Sequence, residues 1–297
     1  MLEYIKAIFY GIIEGITEWL PISSTGHLIL FERFWNFNSN PEFIDMYRVV
    51  IQLGAILAVV ILFFRNIWPF GFSKKPLKPN DKKIGGIAIK CDIFSLWFKI
   101  LAACIPTIFY AFLLDDTVSA FLSAEIGATG FKFDFLVVLL MLGLVGGMFI
   151  YIENRNRNAT PKVNSVLDIT YKQALIIGLF QLIAAMLPGT SRSGATIIGA
   201  LIIGVSRAAA AEFTFYLAIP VMFGASLYKG YKFIDSGVGI TNSEVIVLVL
   251  GMLVAFLVSL IVIKFLMAYI KKHDFKAFGI YRIILGAVLL TYFLASI

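Results

Sequence analysis

Six stretches of this chain, at about 44–64, 93–114, 134–152, 211–228, 244–270 and 280–296, are apolar over the length that a helix needs to cross lipid. A span takes about 20 mostly apolar residues, and only helices or closed barrels satisfy every backbone N–H and C=O inside hydrocarbon. The pattern predicts an all-α polytopic membrane protein. Composition agrees: 60% of the residues are hydrophobic and 14% charged, where soluble domains carry about 25% charged residues. The 28 Phe and 24 Gly suit close helix packing in lipid.

Two further apolar segments are interrupted. Residues 4–20 read as helix, but Glu14 and Glu18 break the apolar run and Pro21 disfavours its continuation. Residues 4–34 therefore read as two half-helices around a polar tip, a re-entrant hairpin. The segment 171–207 is broken in the same way at Pro188 and Gly189 and reads as a second hairpin. The expectation is six transmembrane helices plus two re-entrant helical hairpins, in a single membrane domain spanning 1–297. No cleavable signal is expected, because the first apolar stretch runs directly into the polar motif.

Charge gives the orientation. Residues 65–99 hold eight Lys/Arg, 153–172 hold four and 264–282 hold five, the last including Arg282. The positive-inside rule makes these three loops cytoplasmic. Loops 114–134 and 229–244 hold one and two, beside Asp115, Asp116, Glu125, Asp134, Asp235 and Glu244, and face outward. The net charge of +7 thus reports topology and implies no nucleic-acid partner. The Lys-rich connection at 65–92 reads as a solvated loop with no soluble domain in it. Cys91 and Cys104 lack metal-ligand spacing.

Alternation of loops then makes the first hairpin enter from outside and the second from inside. An internal repeat supports this independently of charge. At an offset of 167, Gly11, Glu14, Leu20, Pro21 and Ser24 align with Gly178, Gln181, Leu187, Pro188 and Ser191; Glu42, Phe43, Gly54 and Ala55 align three residues later with Glu212, Phe213, Gly224 and Ala225. Residues 1–153 and 171–297 are then inverted repeats, each a hairpin plus three spans. Sites in such folds lie near the midplane, at the termini of broken helices.

The tips carry the chemistry. Glu14 and Glu18 fall on one helix face, and two carboxylates in a low-dielectric site repel unless a proton or cation intervenes. A hard divalent ion, Mg²⁺ or Ca²⁺, fits that pair, which are the candidate metal ligands; the alternative is one protonated Glu. Ser23, Ser24, Thr25 and Gly26 cap a new helix whose free N–H groups attract anions. In the second tip Ser191, Arg192, Ser193 and Thr196 repeat the design with a guanidinium that matches phosphate oxygens. Arg192 alternatively pairs with a Glu at rest. His27 is within reach of Ser24 on a helix, as general acid or base or as nucleophile. His273 reads as a loop residue, Arg207 as a terminator of the second hairpin, and Gln181 as a neutral partner for other groups.

EGITEWLPISSTGH (14–27) and LPGTSRSGAT (187–196), with the flanking IQLGAILAVV and GVSRAAAAEF, resemble the signature motifs of bacterial undecaprenyl-diphosphate phosphatases of the bacitracin-resistance type. The resemblance covers nearly the whole chain. It implies hydrolysis of the C55 isoprenoid diphosphate to its monophosphate, recycling carrier lipid for peptidoglycan synthesis in the bacterial inner (plasma) membrane. It also implies an inverted-repeat fold, often a homodimer, with the site open to the outer face. Glu14, Glu18, Ser23, Ser24, His27, Ser191, Arg192, Ser193 and Thr196 would be the important residues.

The residues lead to in-line attack on the terminal phosphorus by Ser24, His27 or an activated water, with Arg192 and tip N–H groups holding the developing charge. The rival from another class is a polyprenyl-phosphate transporter or flippase, which the repeat architecture alone would favour. Metal-dependent phosphate release from a polyprenyl diphosphate separates the two.

Overall fold

The computed structural model describes residues 1–72, 81–84, 87–113 and 130–295, with the side chains of 25, 29, 32–34, 72, 82–84, 87, 113 and 130–134 outside that description. Twelve α-helices are described. They are α1 (Leu2–Thr17), α2 (Ser24–Trp35), α3 (Pro41–Val50), α4 (Gln52–Leu62), α5 (Phe64–Ile67), α6 (Cys91–Leu113), α7 (Gly130–Arg155), α8 (Tyr171–Met186), α9 (Arg192–Ile202), α10 (Arg207–Asp235), α11 (Asn242–Tyr269) and α12 (Lys276–Ala295). Six helices among the described residues are long and apolar enough to cross a membrane: Pro41–Leu62, Cys91–Phe112, Phe135–Arg155, Arg207–Asp235, Asn242–Tyr269 and Lys276–Ala295. Their positions match the six apolar stretches.

Several ends extend beyond the apolar windows because polar side chains start the helices. Ser206 accepts a hydrogen bond from Ala209 N at the start of α10. Thr170 and Thr241 form reciprocal capping boxes with Gln173 and Glu244. Each such box satisfies N–H groups that a helix terminus otherwise leaves without partners.

The connection after α5 departs from the all-α expectation. Phe70–Phe72, Lys82–Ile84 and Ile87–Ile89 form strands β1, β2 and β3 of a small antiparallel sheet in the order β1-β3-β2. Phe70 pairs with Ile89, which on its other edge pairs with Lys82. The β-branched Ile residues of β3 suit a strand, a short signal that the surrounding Lys and Pro content hides. Lys74, Lys75 and Lys78, and the acidic Asp115, Asp116 and Glu125 used for orientation, lie outside the described residues.

Two helix pairs turn back on themselves. The chain reverses between Thr17 and Ser24, and α2 returns beside α1, where Tyr10 Oη donates to Trp35 O at 3.0 Å and Lys6 Nζ to Asn36 O at 2.6 Å. Likewise α9 returns beside α8, with Phe180 against Gly199. The first pair is held tightly by α11: a Cβ on Gly11 would lie 2.7 Å from Gly251 O and one on Gly15 2.8 Å from Val258 Cβ. The main apolar core joins residues of α4, α6, α7, α8, α9, α10 and α11 around fully buried Trp19, Phe149, Phe213, Phe215 and Tyr216. The two turns are thus embedded in packed helices.

At the proposed inner end, Glu153 of α7 is buried and accepts from the Arg207 guanidinium at the start of α10 and from Phe275 N at 3.1 Å. Arg207 is therefore a fold residue that ties α7, α10 and the α11–α12 connection together.

Candidate functional site

Both chain reversals end in a serine of unusual backbone. Ser23 (φ 75°) and Ser191 (φ 68°) are left-handed, a region that costs a non-glycine residue of order 1–3 kcal/mol and clusters at functional sites. Each is the N-cap of the returning helix, and each side chain accepts from the glycine N–H three residues on: Gly26 N at 3.2 Å and Gly194 N at 3.3 Å. This geometry pairs Ser23 with Ser191, one residue out of step with the ungapped match of Ser24 to Ser191. Gly189, with φ 85°, is the extra residue of the second tip. In the corrected register Ser24 corresponds to Arg192, the first residue of α2 and of α9 respectively.

Those two first residues reach one carboxylate. Ser24 Oγ donates to Glu18 Oε2 at 3.1 Å, and Arg192 Nη2 donates to Glu18 Oε1 at 3.1 Å across 174 positions of sequence. Arg192 Nη1 donates to Thr214 O at 3.1 Å, and Ser193 Oγ reaches Leu20 O at 3.5 Å. The two tips therefore meet. Glu18 is 6% exposed, and desolvating an ion pair costs several kcal/mol per ion against charge-assisted bonds of about 1.5–3 kcal/mol each. Stability alone does not account for placing the pair there.

Glu14 lies one turn before Glu18 and is wholly buried, and neither of its carboxylate oxygens has a hydrogen-bond partner among the described residues. A buried carboxylate without a well-formed hydrogen bond, beside the Glu18 carboxylate and the Gln52 amide, suits a hard divalent cation. No group of three or more His, Cys, Asp and Glu able to hold a metal ion occurs among the described residues, so such an ion would complete its shell with water or phosphate oxygens. Gln181, its counterpart in the repeat, donates from Nε2 to Thr107 Oγ1 at 3.1 Å.

The remaining expected site residues divide. Ser23 and Ser193 are buried at the tips, and Ser191 Oγ lies 3.2 Å from Ser193 Oγ. Thr196 is fully buried one turn into α9, with its hydroxyl 2.9 Å from both Arg192 O and Thr214 Oγ1, behind Arg192. Gly26 contributes its N–H to the cap; the Thr25 side chain lies outside the described residues. His27 does not reach Ser24: its Nδ1 is 2.7 Å from Ser23 O and its Nε2 is 2.7 Å from Tyr281 Oη.

Two residues at this site were not expected from sequence. Tyr281 stacks on His27, ring centroids 5.7 Å apart and ring planes 4° from parallel. Arg282, counted above among the cations of a cytoplasmic loop, is instead 0% exposed within α12. It donates to Gly189 O (2.8 Å), Thr190 O (3.1 Å), Met141 O (3.2 Å) and Pro21 O (3.4 Å). The signal was available, because Arg282 falls inside the apolar stretch 280–296, and an arginine within a span marks function by default.

The chain is similar to known proteins over nearly its full length. The family model described as Bacitracin resistance protein BacA matches residues 7–288. A protein named undecaprenyl-diphosphatase from Acetivibrio thermocellus is 52% identical over 295 residues, covering 99% of each chain. One of the same name from Enterococcus faecalis is 53% identical over 289 residues, covering 97% of this chain and 96% of its own. Undecaprenyl-diphosphatase 1 from Clostridium acetobutylicum is 52% identical over 293 residues, covering 99% and 98%. With a family match running from the first tip through Tyr281 and Arg282, this multi-pass membrane chain belongs to the bacitracin resistance protein BacA family.

Proposed function

We propose that the protein is a membrane-embedded undecaprenyl-diphosphate phosphatase. It hydrolyses the lipid diphosphate to undecaprenyl monophosphate and inorganic phosphate, recycling the carrier for peptidoglycan synthesis and conferring bacitracin resistance. Family membership and full-length relatives named undecaprenyl-diphosphatase support the substrate. The observation that carries the chemistry is the single buried carboxylate, Glu18, shared by Ser24 of one tip and Arg192 of the other.

In this reading the two tips are re-entrant hairpins of inverted repeats, 1–153 and 171–297, in the bacterial plasma membrane, with the site open to the outer face. The matched left-handed serine caps support that symmetry. The apolar tail lies along the helices within the bilayer, and the unit is a homodimer, which cross-linking in native membranes tests.

Ser24 Oγ attacks the terminal phosphorus in line and passes its proton to Glu18 Oε2, 3.1 Å away. The bond from that phosphorus to the bridging oxygen breaks, and undecaprenyl monophosphate departs with the electron pair. Arg192 exchanges Glu18 Oε1 for a phosphate oxygen, and the free N–H groups at the starts of α2 and α9 share the developing charge. Glu18 hands the Ser24 proton to the departing monophosphate and is ionised again. Water then attacks the phosphoserine and gives its proton to Glu18, the bond from phosphorus to Ser24 Oγ breaks, Ser24 Oγ takes the proton back from Glu18, and inorganic phosphate leaves. Glu14 and Glu18 would hold a divalent cation, Mg²⁺ or Ca²⁺, which when bound offsets phosphate charge.

Phosphate release from undecaprenyl diphosphate in detergent tests the reading. Removing one preorganised donor costs about 10²–10³ in rate, so Arg192→Ala should fall by that factor, and Ser24→Ala should form no phosphoenzyme. Release by Arg192→Ala at the wild-type rate, or a phosphoryl group trapped on His27, would overturn it.

A further inference from the structure

We propose that the consecutive residues Tyr281 and Arg282 of α12 are positioning residues of this site: Arg282 locks the two tips in register, and Tyr281 holds the His27 imidazole by its Nε2. The kinetic consequences rest on the phosphatase reading; the geometry does not.

Arg282 is a fully buried cation with no carboxylate partner among the described residues. Its acceptors are all backbone carbonyls, three of them at the tips. Pro21 is two residues before the Ser23 cap, and Gly189 and Thr190 immediately precede the Ser191 cap. Met141 O supplies the fourth and ties the arrangement to α7. Its Nη1 also stands 3.6 Å from where a Cβ on Gly194 would be, beneath the start of α9. Burying an uncompensated charge is costly. A planar fork that serves carbonyls in several directions is what a guanidinium offers and an ammonium does not. Ser24 and Arg192 converge on Glu18 only while the two caps keep their spacing, and the Arg282 fork spans that spacing.

Tyr281 follows from hydrogen-bond chemistry. A carbonyl only accepts, so the 2.7 Å contact to Ser23 O places the proton of neutral His27 on Nδ1. Nε2 then carries the lone pair and accepts from Tyr281 Oη at 2.7 Å. The imidazole is thereby fixed at both nitrogens, one to the first tip and one to α12. Tyr281 is 42% exposed while His27 is 6% exposed, so the tyrosine also separates the ring from the surroundings of the bundle.

The test combines spectroscopy and kinetics on the full chain in detergent. Only two histidines are present, so ¹⁵N-imidazole spectra resolve His27 from His273. Wild-type protein should show His27 protonated at Nδ1, and Tyr281→Phe, which keeps the ring and loses only the hydroxyl, should move the Nε2 resonance. With undecaprenyl diphosphate, Tyr281→Phe should lower kcat about tenfold, the loss of one ordinary hydrogen bond, with KM within threefold. Arg282→Lys should lose about a hundredfold in kcat although it keeps the charge, since a misplacement of about 1 Å costs that much.

An unmoved Nε2 resonance with wild-type kcat in Tyr281→Phe would overturn the role of Tyr281. Wild-type kcat in Arg282→Lys would show that charge alone suffices, and aggregation of Arg282→Lys beside well-behaved Tyr281→Phe would make Arg282 a fold residue; either overturns the lock. Wild-type protein that releases no phosphate, yet whose Nε2 resonance responds to Tyr281→Phe, overturns the phosphatase reading and leaves the positioning geometry standing.

Discussion

Replacing Gly189 by Ala probes the second tip without touching a polar group. Its φ of 85° is a conformation that costs an L-residue about 1–2 kcal/mol. The new Cβ would also lie 2.7 Å from Val138 Cα, 3.0 Å from Val138 O and 3.1 Å from Val138 Cγ1. Carbon contacts settle near 3.5–4.0 Å, so the tip must retreat from α7 by about 1 Å, carrying with it the Gly189 carbonyl that Arg282 holds. Overpacking of this kind costs about 1–3 kcal/mol, and a displacement of about 1 Å at the reacting centre costs about 10² in rate. We expect Gly189→Ala to release phosphate about a hundredfold more slowly in detergent, with a lowered melting temperature. Trimming Val138 to Ala should not restore it, because two of the three contacts are backbone atoms. Gly237→Ala is the control: its φ is also positive, at 70°, yet nothing lies within 4 Å of the added Cβ. Activity of Gly189→Ala within threefold of wild type, or an equal loss in Gly237→Ala, would refute the reasoning.

Glu14→Gln removes a buried carboxylate without a hydrogen-bond partner among the described residues, so it should abolish phosphate release while raising the melting temperature of chelator-treated protein. A gain of about 1 kcal/mol corresponds to roughly 2–4 °C in a chain of this order of size, and a lowered value in differential scanning fluorimetry would count against it. Chelation of divalent cations should stop turnover by wild-type protein, and added Mg²⁺ or Ca²⁺ should restore it; full turnover after exhaustive chelation would exclude the Glu14–Glu18 cation. Arg207→Ala strips the guanidinium from buried Glu153, a loss of about 1.5–3 kcal/mol for bonds to a charged group. It should lower thermal stability and leave kcat at low temperature within about threefold, which activity and unfolding measured on one sample will check.

The helices and the meeting of the two polar tips at a candidate site were legible because both depend on one-dimensional signals. An apolar run of 20 residues in lipid has one backbone solution, and Pro21 and Pro188 interrupt such runs at positions dense in hydroxyls and charge. The one-residue difference between the tips was not legible. Ser23-Ser24 and Ser191-Arg192-Ser193 offer several serines for one alignment, and only the left-handed caps identify Ser23 with Ser191. Arg282 was misplaced for a physical reason too. Lys271, Lys272 and Lys276 stand just before it, and a count of loop charge does not distinguish a solvated cation from one whose acceptors are carbonyls of chain segments about 90 and 260 residues away. The sheet at 70–89 was missed because strands of three residues are shorter than any period that composition reveals.

The matched serine caps put two different side chains at one helical position. Ser24 and Arg192 occupy the same first helical position behind equivalent caps, so one tip presents a hydroxyl and the other a guanidinium to the same carboxylate. Without the second tip Glu18 would keep Ser24 alone as a hydrogen-bond donor. Arg192 without Glu18 would be an isolated cation beside the Thr214 carbonyl. Each tip therefore supplies the partner that the other's polar group needs. In the proposed reaction an incoming diphosphate replaces Glu18 as the anionic partner of Arg192 and leaves Glu18 as the acceptor for the Ser24 proton. On that proposal the resting ion pair already divides the two roles that phosphoryl transfer requires, and the proposed lock by Arg282 keeps the caps at the spacing that the division needs.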